Sequence, residues 1–379
     1  MKNIVIVGSG PCGMTSAIAV KKNHPEYQVI LLEKDKSIGK RIKVSGNGRC
    51  NFCNEYVFPE AYHLNEDSSI FMMIDEFLKE SSFFNYLNIH SYADEEGRMY
   101  PLTNSSQTIL NAFKRKLTEL GVDIRLETEF ISFTNNNSKI IIKTSKGDII
   151  CDNLILATGG TSYLYNDSVH KLLNNKDINI TPLVPSLCPI VVEEKIPHNV
   201  VGKRARVKIK LLKDGEIKQY YEGELIFKKD GISGIVIFEI SFDLASLNLK
   251  ENKYEFEIDF APEIDDQVFK HELETLSKYD ALSNYVVDEI ASFIDFRYKN
   301  AIEGLHHFKL TFKELYPFKD SQVTHGGVSL DEIDLNTFSL KKNPQVYIGG
   351  ELLDVDGTCG GYNILFAISS GYKIGNSID

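Results

Sequence analysis

Residues 4–13 read IVIVGSGPCG, and Glu33 closes the next apolar run. The stretch 4–7 is short and wholly apolar, as expected of a strand buried on both faces of a parallel sheet. Gly8, Gly10 and Gly13 follow with G-x-G-x-x-G spacing, and Ser9, Pro11 and Cys12 lie between them. In such a unit the first glycine permits the tight turn and the second lets the backbone approach a pyrophosphate. The third lets the helix pack closely on the strand. Residues 15–22 are predicted to form that helix, with its positive end toward the phosphates. A second strand over 29–32 ends in Glu33, where a carboxylate can accept hydrogen bonds from ribose hydroxyls. The glycine spacing alone is weak. Framed by two strands, a helix and the acid, it predicts dinucleotide binding.

A chain of 379 residues suggests two or three domains at about 150 residues each. No apolar run approaches the roughly 20 residues of a membrane span. The first strand begins at Asn3, which leaves no room for a signal peptide. The expectation is a cytoplasmic protein with no membrane partner. The six cysteines (Cys12, Cys50, Cys53, Cys151, Cys188, Cys359) are then expected as thiols. A net charge of −11 repels phosphate backbones, so nucleic acid is not expected as a partner. The oligomeric state is not legible.

A basic, glycine-rich stretch, GKRIKVSGNGRCN, occupies 39–51. Helical periodicity runs over 69–82 and 105–120, the latter with Ile109, Leu110, Phe113 and Leu117 on one side. Strand-like runs follow at 123–126, 130–133, 140–144 and 148–150, with Gly147-Asp148 as turn chemistry. A buried strand over 154–157 leads into Thr158-Gly159-Gly160. From 187 the pattern changes: 206–212 and 254–260 alternate as strands do, and 265–315 looks helical. The first fold resumes before a last strand at 346–348, the block GGELLDVDGTCGGYN at 349–363, and a helix over 364–374. The fold class predicted is α/β: a Rossmann-like FAD-binding domain with an inserted β-rich domain and a small helical portion. Its parts are 1–186, an insert over 187–320, and a completion over 321–379. An interrupted nucleotide fold with several glycine turns suits an elongated ligand, FAD, better than NAD.

These motifs resemble the bacterial BaiN-like (YhiN-type) FAD-dependent NAD(P)H oxidoreductases, some of which are called aminoacetone oxidases. The likeness is carried by GSGPCG (8–13), GK and SGNGRCN (39–40, 45–51), GRMYPLTNSSQTIL (97–110) and ATGG (157–160). LIFKKDGISG (225–234), VTHGGV (323–328) and GGELLDVDGTCGGYNILFAISSGY (349–372) complete it. SGNGRCN and DVDGTCGGYN are the most specific blocks. This chain departs where Asn47 replaces the family's usual glycine and Cys53 its usual threonine.

Gly8, Ser9, Gly10, Pro11, Cys12, Gly13 and Glu33 are assigned to the AMP and pyrophosphate end, and Lys34 to the adenine or to solvent. Read as composition, 39–51 is either a solvated basic loop or an anion-binding nest of N–H groups. The resemblance assigns Lys40, Arg41, Ser45, Gly46, Asn47, Gly48, Arg49, Cys50 and Asn51 to the cofactor. It adds Phe130, Ala157, Thr158, Gly159, Gly160, Gly350, Glu351, Asp356, Gly357, Gly360, Gly361, Tyr362 and Asn363, with Asp356 toward the ribityl chain. His325, before two glycines, is the candidate to exchange a substrate proton near neutral pH. His306 and His307 have no partner motif. Cys50 and Cys53 form a C-x-x-C, but no second pair completes a zinc set, so no metal is expected.

The leading reading is an FAD-dependent oxidoreductase acting on a small molecule, with NAD(P)H as a dissociable co-substrate. No second fingerprint between 160 and 345 supplies a nicotinamide domain. The alternatives are an oxygen-using oxidase of a small amine or aminoketone, and a flavin-holding module that signals to a protein.

Overall fold

The computed structural model describes residues 1–64, 68–80, 82–136, 138–163, 167–247, 249 and 251–379. The chain forms two compact units. One comprises Met1–Thr161, the stretch ending at Leu183, and Thr324–Asp379; the other is built mainly from Val184–Val323.

The first unit is a Rossmann-type domain. Its seven-stranded sheet runs, in spatial order, Ile333–Asp334, Ser339–Leu340, Asn343–Ile348, Asn153–Leu156, Asn3–Val7, Gln28–Leu32 and Asp123–Arg125. The strand at Asn3–Val7 sits between two parallel neighbours, pairing Val5 with Leu154 and with Ile30. Ile4, Val5 and Ile6 are accordingly fully buried. That is why the sequence reads there as a continuous apolar run rather than an alternating one.

The helix Pro11–Asn23 is buried over most of its length, from Cys12 to Val20. Small residues let the C-terminal helix, Tyr362–Ser377, lie directly against it. A Cβ on Gly371 would stand 2.4 Å from the Cys12 carbonyl oxygen, and one on Gly375 2.5 Å from Ala19 Cβ. Residues 324–379 thus complete the first domain by packing on its first helix. The unit also carries two antiparallel three-stranded sheets: Cys53–Asn54, Arg98–Pro101 and Ser91–Ala93 in one, Phe130–Asn136, Lys139–Thr144 and Gly147–Cys151 in the other.

The second unit is a closed six-stranded barrel: Ile190–Val192, Gly231–Ser233, Glu216–Lys228, Arg204–Lys213, Tyr254–Asp259 and Phe308–Leu315. Val207, Ile209 and Leu211 point inward and Arg206 and Lys208 outward, as period-two patterning requires. Four short helices lie between Asp266 and His306. The sequence reading is corrected here twice. The helical stretch ends at His306, because Phe308 and Leu310 alternate with Lys309 and Thr311 and close the barrel against Tyr254–Asp259. A helix, Ile235–Ala245, also stands within the part read as β-rich. Its apolar residues are buried nearly all round, which hides the helical period. Among the described residues no helix is long and apolar enough to cross a membrane.

Candidate functional site

The turn after the first strand separates glycines that the chain needs from one that it does not. Gly8 has φ +99°, and a Cβ there would stand 2.4 Å from the Ala157 carbonyl oxygen. A Cβ on Gly13 would stand 1.9 Å from the Gly8 oxygen. Gly10 caps the helix in an ordinary extended conformation, and its Cβ would meet no atom within 4 Å. Among the described residues nothing excludes a side chain at Gly10.

Glu33 Oε2 accepts from the Ser9 N–H at 3.1 Å and from the Ser9 hydroxyl, and Oε1 accepts from the Asp35 N–H at 2.9 Å. The carboxylate is therefore fixed against the turn. With about four lone-pair sites, it keeps capacity for a ribose hydroxyl. The Thr128 N–H donates to the Glu33 carbonyl at 2.9 Å, which brings the segment leading to Phe130 beside it. Lys34 is exposed, and Lys40 stands 3.5 Å from Asp35.

In the basic loop, Gly46, Asn47, Gly48 and Cys50 all have positive φ (54°, 54°, 85° and 61°). Asparagine is among the side chains that adopt that conformation most readily, as Asn47 does. Arg41 is not a free phosphate ligand. It donates to Glu351 Oε2 at 2.9 Å and to the Gly160 carbonyl at 3.0 Å. Glu351 Oε1 accepts from the Thr324 N–H at 2.8 Å, and the Thr324 hydroxyl accepts from the Thr161 N–H at 2.8 Å. Four segments distant in sequence are thereby tied together. Beside them Thr158 Oγ1 is buried with no hydrogen-bond partner among the described residues. The Arg49 guanidinium lies 4.7 Å from the Tyr100 ring centroid.

Cys12 faces inward, where a Cβ on Gly349 would stand 2.7 Å from its sulfur. It brings only backbone to the turn. No disulfide joins the cysteines. Burial pushes the Cys50 thiol up to about 11 and the Cys53 thiol to about 12.

The C-terminal block folds back on residues 51–63. Tyr62 pairs with Gly357, and the His63 N–H donates to the Asp356 carbonyl at 2.9 Å. Asn363 closes the block on itself, accepting from the Gly357 N–H at 2.8 Å and donating to its carbonyl at 2.6 Å. The Asn51 carboxamide, oriented by its neighbours, accepts from the Gly361 N–H at 3.1 Å and donates to the Cys53 carbonyl at 2.9 Å. Asn51, Asn363 and the Gly361 N–H thus shape the loop. Gly360 and Gly361 follow from φ values of 134° and 95°. Tyr362 donates its hydroxyl to the Tyr56 carbonyl at 2.9 Å.

Asp356 has zero exposure. Its Oδ1 faces His325 Nδ1 at 2.8 Å and His63 Nδ1 at 3.0 Å, and Oδ2 has no partner among the described residues. Burial pulls His325 down, but its hydrogen bond to Asp356 and the charges of Asp356 and Asp354 outweigh that and hold it above the usual histidine value. Burial pushes Asp356 up, yet hydrogen bonds from both histidines hold it below the usual carboxylate range. Asp354 is raised by burial. His63 was not singled out in the sequence. It belongs to no motif, and only the Tyr62–Gly357 pairing brings it to Asp356.

The HI0933-like protein Rossmann domain profile matches residues 2–377. The 3-dehydro-bile acid delta(4,6)-reductase of Clostridium scindens is 26% identical, over 100% of this chain and 99% of its own. The ribosomal RNA dihydrouridine synthase of Escherichia coli is 25% identical, over 97% and 96%. Among solved structures, a 3-ketosteroid delta1-dehydrogenase from Sterolibacterium denitrificans superposes with TM-score 0.54 at 10% identity over 99% of both chains. A 3-ketosteroid-delta4-(5alpha)-dehydrogenase from Rhodococcus jostii RHA1 gives 0.52 at 12%, over 99% and 96%. These structures share the fold. The RNA-modifying relative means that net charge alone does not exclude an RNA partner.

Proposed function

The chain belongs to the HI0933-like Rossmann family, and on that premise we propose that it is an FAD-dependent reductase of a carbon–carbon double bond conjugated to a carbonyl. The observation that carries the reading is His325, held as a proton donor by the buried carboxylate of Asp356.

The residues fit FAD at points the chain leaves open. Glu33 would take the ribose, the backbone at Gly10 the pyrophosphate, and the left-handed turns at Gly46, Asn47, Gly48 and Cys50 an anionic or hydroxyl-rich stretch. Thr158 Oγ1 and Asp356 Oδ2 are buried polar atoms that lack partners among the described residues, and ligand hydroxyls would satisfy both. When bound, FAD supplies a carrier that accepts a hydride from a donor and passes it on.

The protein's own part is proton management. Asp356 holds the imidazole as the Nδ1–H tautomer, which leaves Nε2 to carry the exchangeable proton. His325 delivers that proton to the carbon next to the substrate carbonyl, while the far carbon of the double bond receives the hydride. The names of both kinds of relative describe such a bond: one beside the 3-oxo group of a bile acid, the other in the uracil ring of RNA. NAD(P)H, if it is the donor, would visit the same face of the flavin as the acceptor, in alternation.

The test is anaerobic. NADPH or NADH should bleach the flavin absorbance, and a conjugated enone or a uridine-containing RNA should restore it with a saturated product. Reoxidation by oxygen alone, with an aminoketone as the reductant, would replace this reading with the oxidase.

A further inference from the structure

We infer that His63 is a positioning residue of this site: with His325 it holds one oxygen of the Asp356 carboxylate, and the two imidazoles compete for that single negative charge. The inference rests on the proton-donor reading of His325 and adds a residue that the reaction itself does not demand.

Both imidazoles direct Nδ1 at the same carboxylate oxygen, at 2.8 and 3.0 Å. Their ring centroids are 4.7 Å apart and nearly perpendicular, at 75°. His63 is anchored a second time, through its backbone N–H on the Asp356 carbonyl. A wholly buried carboxylate offsets one positive charge well, and a second at this distance meets its repulsion with little water to screen it. Two sites coupled this strongly titrate as a pair. The hydrogen bond to Asp356 and the nearby carboxylates hold His325 above the ordinary histidine value, and a second charge on the pair works against the first.

Neighbouring titratable groups do not alter this. Asp354, on the same loop, adds negative charge and strengthens the first step. The Tyr62 and Tyr362 phenols are raised by burial and stay neutral. His63 therefore does two things through Asp356. Its N–H stabilises the carboxylate, which keeps His325 from becoming too weak an acid. Its ring lies close enough to His325 that a charge on either opposes a charge on the other.

The test is a proton NMR titration of the imidazole resonances in the flavin-loaded protein, with His63→Gln, His63→Leu and His325→Gln alongside. In the parent, both resonances should move in two steps separated by more than about one pH unit. In His63→Gln, which keeps an N–H donor to Asp356, His325 should titrate in one step and turnover should survive. In His63→Leu the second step and most turnover should be lost together, with the flavin retained. One-step titration in the parent, or a His325 curve unchanged by His63→Gln, would overturn the inference. So would one equivalent of a divalent metal in the parent that His63→Gln removes, because the ion would then hold the two Nδ1 atoms. The titration needs neither substrate nor reductant, so its failure leaves the FAD-dependent reading standing.

Discussion

The Rossmann unit and the barrel unit each set a histidine against an aspartate, and the two pairs differ in what else the carboxylate does. In the barrel, Asp259 is 28% exposed, and its Oδ1 accepts from His306 at 2.9 Å and from the Ala261 N–H at 3.0 Å. It fastens the end of a strand to the helix Ala301–His306. His307 is held likewise, by Glu257, which also pairs with Lys210. In the Rossmann unit, Asp356 spends one oxygen on two imidazoles and leaves the other without a partner among the described residues. The residue types agree, and among the described residues the pairs differ in the carboxylate: Asp356 keeps a buried oxygen without a hydrogen-bond partner, whereas in the barrel it is His306 Nε2 that lacks one. The glycines repeat the contrast. A Cβ on Gly231 would stand 1.9 Å from the Ile190 carbonyl oxygen, whereas one on Gly10 would meet nothing.

The largest expected effects come from breaking that contrast. Gly10→Val should give a folded protein that has lost its flavin, because valine tolerates the extended conformation and intrudes only on the ligand. The capping change costs about 1 kcal/mol. Gly231→Val should yield little folded protein, since its clash is with backbone. Flavin absorbance per chain and a thermal melt distinguish the two, and a yellow Gly10→Val protein would show that the pyrophosphate does not lie there. Next in size, His325→Gln should lower turnover by about 10²–10⁴-fold, the usual worth of a positioned acid, with flavin retained. His306→Gln should leave turnover near the parent value. Equal losses would mean that the contrast between the pairs has been misread.

The first strand, the glycine turn and the Glu33 strand were legible because each obeys a local rule: a buried run, a spacing, a strand end. The 39–51 loop was legible as a motif but not in its chemistry. Arg41 reads as a phosphate ligand, and only the fold shows its charge met by Glu351. The Gly361 N–H, which a helix start would aim at the flavin, is taken by Asn51. A Cβ at Gly361 would stand 2.5 Å from the Cys53 carbonyl, so a substitution there probes packing rather than the helix dipole. His63 was illegible because its role depends on a pairing between residues 62 and 357, which no local pattern encodes.

A smaller effect should appear in stability against pH. His325 is raised in the folded protein, so its contribution is complete below the ordinary histidine value of about 6.5 and is lost as pH rises through the folded value. Asp356 is lowered, so its contribution is complete above the ordinary carboxylate value of about 3.9 and is lost as pH falls through the folded one. Both describe one interaction and are not additive. The parent should therefore gain stability relative to Asp356→Asn most between about pH 4 and 6.5, measured by denaturant midpoints. A difference that grows steadily above pH 8 would place the interaction elsewhere.

The smallest effect concerns the C-x-x-C. A redox dithiol needs a thiolate, and therefore a lowered pKa and access. Cys50 and Cys53 have neither: both are buried, and burial holds them near 11 and 12. Cys12, Cys151 and Cys188 are buried too, and burial raises each to about 12. Cys359 alone is partly exposed. Native protein treated with iodoacetamide at pH 8 should take up one equivalent, at Cys359 by peptide mass. Denatured protein should take up six, the number of cysteines in the chain. Cys53→Ser should change turnover little, since the hydroxyl replaces a thiol that takes no part in electron transfer. Rapid labelling of Cys50 or Cys53 in the folded protein would show that the 46–54 loop opens. Turnover lost in Cys53→Ser with flavin and fold intact would turn the pair from packing into chemistry.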